Sequence, residues 1–459
     1  MTATTGAVRG PGAESGAGPG ARERAAIWAA VAVAVLALLV VLGIVTDVIP
    51  ALVAWAWSVL EANAGIVRFA VAVVAILLFT VPTAFVIIFM ELKVIAFMNL
   101  RIGPNRTGPW GTFASLFHGF KVLTREDFTP IGVDVTVFTL APVVTFVATV
   151  MVFLVIPFGP GLVGQDMNIA ALYLFAMSGL TVVGLLMGGW ASYNKYSLLG
   201  GLRSAAQLVS YEIPMTLSVV GVIMLAGTMS LNGIIEAQSG SVLDWFAIRQ
   251  PLAFGIFFLA ATAEANRTPF DMSVADQELV GGFATEYSGM RFGFFYFAEY
   301  VSVFVVSALT VIFFLGGWTA PFDWPWPVPP NVDLASLGLA WIPILVVVPV
   351  LGTALLTALV WILPPRPPFW KAALAGFVAF NAIAFGALLL FLAVNVEAVV
   401  GLFWFMAKCY FFVFTFVWMR ATLPRIRMDQ LMGLAWKWLL PAALVNIFVT
   451  ALAILVVAK

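Results

Sequence analysis

The sequence predicts an all-α fold, a polytopic membrane helix bundle of about eleven transmembrane helices with one amphipathic helix lying in the interface. Three observations predict it. The chain is 63% hydrophobic and only 10% charged, with a mean hydropathy of +1.08. Apolar runs of about 20 residues, the length that crosses a roughly 30 Å hydrocarbon layer, recur along it. The Lys and Arg residues between those runs collect in alternate connections, the pattern that membrane insertion imposes.

Residues 1–25 are rich in Gly, Ala, Ser and Pro without periodicity, which predicts a disordered tail. The apolar run Ala25–Val45 is longer than a signal-peptide core and follows a long polar stretch, so residues 26–48 are expected to be a retained helix rather than a cleaved signal. Further spans are expected at Ile66–Met90, Val135–Phe158, Ile169–Trp190, Ile213–Ser230, Trp245–Ala263, Phe294–Trp318, Leu337–Leu363, Ala372–Val394, Val399–Met419 and Trp438–Ala458. In the polar connection after the second span, the breaker GPNRTGP precedes Phe113, Leu116, Phe117 and Phe120 at i, i+3, i+4 and i+7. That spacing predicts an interfacial helix with one greasy face, with His118 and Lys121 off it. A surface anchor is the plainer reading. A flat aromatic face beside buried carboxylates also suits a lipid-soluble, ring-bearing ligand. No internal repeat is visible, and no connection is long enough for a separate soluble domain.

Eighteen of the 22 basic residues fall in the tail and in residues 91–133, 191–210, 265–293, 364–371 and 420–437. Basic residues are retained in the cytoplasm, so this bias predicts a cytoplasmic N-terminus, and the helix count then puts the C-terminus on the outer side.

The balance of 22 basic and 22 acidic residues supplies no net field for nucleic acid. One histidine, His118, and one cysteine, Cys409, cannot build a bis-histidine haem, a four-thiolate iron–sulfur site, a tetrahedral zinc site or an internal disulfide. Any redox cofactor must therefore sit on a partner.

The chemistry concentrates in EANRTPFDMSVADQELVGGFATEYSGMRFG, where Glu264, Asp271, Asp276, Glu278 and Glu286 outnumber Arg267 and Arg291. Before Glu264 the apolar run PLAFGIFFLAATA makes only about 20 Å of helix, which puts that carboxylate below the membrane surface. Glu299 lies about one and a half turns into the next helix, and Glu212 stands at SYEIP. An ionisable group at such depth marks an ion path, a proton path or a substrate cavity. Glu212, just before Ile213-Pro214, taken alone reads more readily as a helix N-terminal carboxylate than as a proton site. Asp271, Asp276 and Glu278 read equally as a solvated loop face. Lys408 lies about 18 Å from Arg420 by helical rise, too deep to snorkel, and is either paired with a carboxylate or part of a proton relay.

Four blocks, ELKVIAFMNLRIGPNRTGPWG, NKYSLLGGLRSAAQLVSYE, the acidic stretch through AEY, and RATLPRIRMDQLM, resemble in order and spacing the H-subunit family of bacterial respiratory NADH-quinone oxidoreductase, complex I. The resemblance covers 66–318 and 399–458. It implies an eight-helix core to which residues 26–48 and the pair in 337–394 are additions. It also implies a seat in the bacterial cytoplasmic membrane at the junction with soluble iron–sulfur and quinone-site subunits, beside small and antiporter-like membrane subunits. Quinone is then the substrate, iron–sulfur clusters and flavin belong to partners, and no catalysis is expected from this chain alone. Carried over by position, Glu91, Arg101, Phe113, Phe117, Phe120, Arg203, Arg267 and Arg291 belong to the quinone chamber. Glu212, Glu264, Asp271, Asp276, Glu278, Glu286, Glu299 and Lys408 belong to proton coupling. Leu92 stands where the family usually has Arg, and Val274 where an acid is common. Two rival readings are a homologous component of a membrane-bound hydrogenase or formate hydrogenlyase, and an ion-coupled secondary transporter.

Overall fold

The computed structural model describes residues 64–272, 276–321 and 396–457. The tail, the first expected helix and the expected pair at 337–363 and 372–394 lie outside the described residues. Compactness divides the chain into Met1–Val71 and Ala72–Lys459, and the second unit holds the helix bundle. The long helices are α1 (Ala64–Met98), α3 (Val135–Met151), α4 (Ala170–Ala191), α5 (Lys195–Ala226), α8 (Gly289–Phe314), α9 (Val396–Thr422) and α11 (Leu440–Val457). Between them lie α2 (Ala114–Leu123), α6 (Leu231–Glu236), α7 (Pro251–Glu264) and α10 (Met428–Leu434). A π-helical turn, Ala435–Leu439, joins α10 to α11. Seven of the helical segments are long and apolar enough to cross a membrane, and α7 is a shorter apolar helix. Each of the eight expected spans on described residues thus has its helix, and the chain is a polytopic helical membrane protein.

Local chemistry explains the boundaries. Asp134 opens α3 by accepting from Val137 N, and Asn194 opens α5 by accepting from Tyr196 N. Gly227, at φ +70°, ends α5 in the left-handed conformation that glycine adopts without a Cβ clash. The largest correction concerns α5: the expected span began at Ile213, and the helix begins at Lys195. The stretch KYSLLGGLRSAAQLVSYE is too polar for a hydropathy scan, yet several of its polar side chains bond inside the bundle. Ser197 donates to Phe283 O at 3.0 Å, Ser204 to Gly200 O at 2.9 Å, and Gln207 to Ala263 O at 2.7 Å. Glu212 is consequently a mid-helix residue, which removes the reading of it as an N-terminal cap.

Helices pack here by van der Waals fit rather than by expulsion of water, so small residues and aromatic rings carry the contacts. The centre is α8, with 83% of its most apolar window buried against 22% for α1. Around it Phe79 meets Phe158 and Phe304 edge-on at centroid separations of 4.9 and 5.4 Å. On the other side α4 and α5 touch backbone to backbone at Gly189 and Gly201, and Gly200 lies against Gly282 and Phe283. A Cβ at Gly200 would stand 2.6 Å from Phe283 N, a backbone atom that cannot swing aside. Gly200→Val is therefore expected to push the 282–284 turn off α5 and to cut the amount of this protein in membranes by about tenfold, the scale of a 1.4 kcal/mol cost. An immunoblot of membranes checks this, and wild-type abundance contradicts it.

Candidate functional site

Two carboxylates of the acidic stretch, Asp271 and Glu278, are answered by arginines from elsewhere in the chain. Arg267 is 4% exposed and reaches Glu91 of α1 at 3.2 Å and Glu299 of α8 at 3.5 Å. Its guanidinium also lies 4.2 Å from the centroid of the Tyr300 ring. Glu91 takes a second cation, Arg420 at the end of α9, at 2.5 Å, and Asp271 takes Arg425 at 2.9 Å. At the rim Arg203 pairs with Glu278 at 2.5 Å, and Asn194 donates to Glu286 at 2.6 Å. Arg291 turns away from the stretch to Asp127 at 3.3 Å and Thr129 at 3.1 Å. Asp276 lies at the edge of a short gap in the described residues, and its side chain is among those not described.

Burial works against the charge of Arg267, and Glu299 and Glu91 outweigh it, so the guanidinium is held above its ordinary range. Burial pushes the Asp271 carboxyl up, against the pull of Arg425, Arg420 and Arg267. Arg420 and Arg425 stand in the sequence only as part of RATLPRIRMDQLM; nothing in it points them at Glu91 and Asp271.

Two half-buried carboxylates have no basic partner among the described residues. Glu212 accepts from Ser178 at 3.0 Å, and Glu264 has its Oε2 enclosed with no hydrogen bond. Both line one cavity of about 90 Å³ together with Glu299. Its other polar lining is Thr145, Thr149, Ser178, Thr181, Asn266 and Ser302, residues that sequence reasoning missed because a lone Ser or Thr in an apolar helix carries no signal. At roughly 10–15 Å³ of such volume per molecule, the cavity has room for several waters, and it supplies the polar partners they need.

A second cavity, about 420 Å³ and lined almost wholly by apolar side chains, opens between α1, α2 and α8. From α2 it takes Ser115, Leu116, His118, Gly119, Phe120, Val122 and Leu123. Of the expected apolar face, Leu116 and Phe120 line it. Phe113 and Phe117 lie outside it, all three phenylalanines are about half exposed, and His118, expected off that face, lines the cavity. The reason is Gly119, whose missing side chain lets α2 lie directly on the Phe85 ring of α1 and so turns that side of the helix inward. Arg101 is exposed on the loop before α2 and forms no ion pair among the described residues.

The cavities share a wall. Phe294, Tyr296 and Phe297 of α8 face the apolar one, and Phe295, Ala298, Glu299 and Ser302 face the carboxylate one. Lys408 joins neither. Its ammonium is bonded to the carbonyl oxygens of Leu315, Gly317 and Thr319 beyond the end of α8, in place of the expected carboxylate.

Comparison with known proteins gives a consistent picture. Residues 70–451 match the family described as NADH dehydrogenase. A Brevibacillus brevis protein, named as the H subunit of NADH-quinone oxidoreductase, is 40% identical over 83% of this chain and 92% of its own length. A Geobacillus kaustophilus protein of the same name is 42% identical over 82% and 91%. A Koribacter versatilis protein, named as the first of that organism's H subunits of NADH-quinone oxidoreductase, is 41% identical over 84% and 89%.

Proposed function

We propose, from the premise that this chain belongs to the H-subunit family of NADH-quinone oxidoreductase, that it is the membrane component in which quinone reduction is coupled to proton movement. The apolar cavity admits the quinone from the lipid past α2, toward an acceptor site completed by soluble partners that carry the flavin and iron–sulfur clusters. The carboxylate cavity holds the protons that respond. The observation that carries this reading is the shared wall of α8. A helix is about 10 Å across with its side chains, so a charge change on the quinone side acts on Glu299 through poorly hydrated protein, where interaction falls off slowly. Charge added there moves protons among Glu212, Glu264 and Glu299, because coupled acids titrate together.

Arg267, tied to Glu91 and Glu299 at once, makes the mechanical counterpart. When either carboxylate changes charge, the balance of its two pairs changes and the segment running on to Asp271 shifts against Arg425. Phe120 belongs to the quinone entrance and Glu91 and Arg267 to its inner end, while Arg101, Arg203 and Glu278 lie at the aqueous mouth.

The test uses the assembled complex in native membrane vesicles. Glu212→Gln and Glu299→Gln are each expected to lower quinone-linked proton uptake by about tenfold, the change that accompanies 1.4 kcal/mol in a barrier. NADH oxidation by a hydrophilic artificial acceptor is expected to stay unchanged. Wild-type proton uptake in both variants refutes the coupling role.

A further inference from the structure

We propose that Lys408 is a fixed positive barrier that keeps protons held in the carboxylate cavity from escaping across the bundle to the side opposite the basic loops. The inference rests on the proton-coupling reading above and adds to it a group outside the cavity.

The geometry of the ammonium carries it. Nζ donates to Leu315 O at 2.6 Å, Thr319 O at 2.7 Å and Gly317 O at 3.1 Å. A lysine ammonium has three protons and no acceptor, so all its donors are engaged and every partner is a backbone carbonyl, which cannot carry a proton onward. The group is suited to present charge and unsuited to relay it. The Trp245 ring, with its centroid 4.5 Å away, adds a cation–π contact.

Its surroundings pin it in place. Gly316 and Gly317, at φ +67° and +53°, break α8 and turn the carbonyls toward α9. Gln238 locks that turn: its side-chain oxygen accepts from Gly316 N at 3.0 Å, and its amide donates to Ile312 O at 2.9 Å.

Position completes the argument. Within the membrane-crossing segment Glu397–Thr422, Lys408 is near the middle, roughly 17 Å of helix from Glu397. The carboxylate cavity follows α8 from Glu299 as far as Leu309. Leu315 is about 9 Å further on by helical rise. Between them Val311, Ile312, Phe313 and Phe314 are fully buried, and the polar side chains that reach this stretch, Thr310 and Gln238, are spent on the carbonyl oxygens of Val306 and Ile312, which leaves an apolar plug. Beyond the plug the broken end of α8 would offer bare carbonyls to water, and the ammonium occupies them instead. A hydrated proton leaving the cavity that way meets an immobile like charge where screening is weak, the device by which cationic groups exclude protons from water-conducting pores.

The experiment measures passive proton leak in vesicles containing the assembled complex, without NADH, after an imposed pH step read by an entrapped dye. Lys408→Met and Lys408→Gln are expected to dissipate the step several-fold faster than wild type, Lys408→Arg at the wild-type rate. Adding Glu264→Gln to Lys408→Met is expected to restore tightness, because the leak starts from the cavity. Assembly is followed by immunoblot. Vesicles of both neutral variants that hold the step as long as wild type overturn the barrier. So does failure of the neutral variants to assemble, with or without rescue by Arg, since Lys408 is then a structural clamp. Glu264→Gln alone tests the coupling reading, so tight Lys408→Met vesicles beside a non-pumping Glu264→Gln complex sink the barrier and leave the coupling standing.

Discussion

Replacing Arg267 with Met is expected to remove most of this protein from the membrane. Among the described residues its guanidinium is the one cation shared between α1 and α8, through Glu91 and Glu299. Removing one member of a buried ion pair typically costs roughly 3–5 kcal/mol, because the partner is left charged in a place that cannot solvate it. The damage falls unequally. Glu91 keeps Arg420 at 2.5 Å, while Glu299 keeps no cation among the described residues. The second change Glu299→Gln, made on top of Arg267→Met, is therefore expected to recover a large part of the loss, and Glu91→Gln a smaller part. Arg267→Lys keeps the charge but not the fork that spans two carboxylates, and is expected to fall between. Protein abundance by immunoblot and complex size on native gels read all four. Normal abundance of Arg267→Met, or equal rescue by the two glutamine changes, contradicts this assignment.

Glu264→Gln is expected to give a complex that assembles and cannot pump. Glu264 has no cationic partner among the described residues to leave stranded, and its Oε2 makes no hydrogen bond, so an isosteric amide costs the fold little. On the proposed coupling, what it removes is one of the three carboxylates that share the cavity. Proton uptake per NADH is expected to drop by about tenfold or more, with assembly near normal. Glu264→Asp, which keeps the acid and shortens its reach, is expected to retain part of the activity. The contrast with Arg267→Met is the informative part: one variant fails as a structure, the other as a conductor. A Glu264→Gln complex pumping at the wild-type rate excludes Glu264 from the path.

Much of this arrangement was readable in the residues, and what was not has physical causes. The shortness of α7 followed from thirteen apolar residues ahead of Glu264, and the helix found is Pro251–Glu264. Glu264 was singled out by the same spacing and Glu299 by its place early in the next helix, and both line one cavity. The start of α5 was missed because hydropathy scores Ser197, Ser204 and Gln207 as if they met lipid, when they bond backbone inside the bundle. The arginines that balance the acidic stretch were missed because Arg425 is 154 positions from Asp271, a pairing that only the packing of α9 against α8 creates. For α2 the helical period was right, since Phe113, Leu116, Phe117 and Phe120 stay exposed as an interfacial face would, and the inward turn of His118 was missed because the glycine at 119 carries no hydropathy signal.

Cys409 is the chain's one thiol and is fully enclosed within the helix bundle. A thiol reagent added to the folded protein therefore finds nothing to modify, and the natural sequence already serves as an unreactive background for labelling. A cysteine placed at Glu278, whose side chain is 55% exposed, would carry a spin label or dye alone. The motion of the acidic stretch during turnover can then be followed without first stripping a native residue from α9.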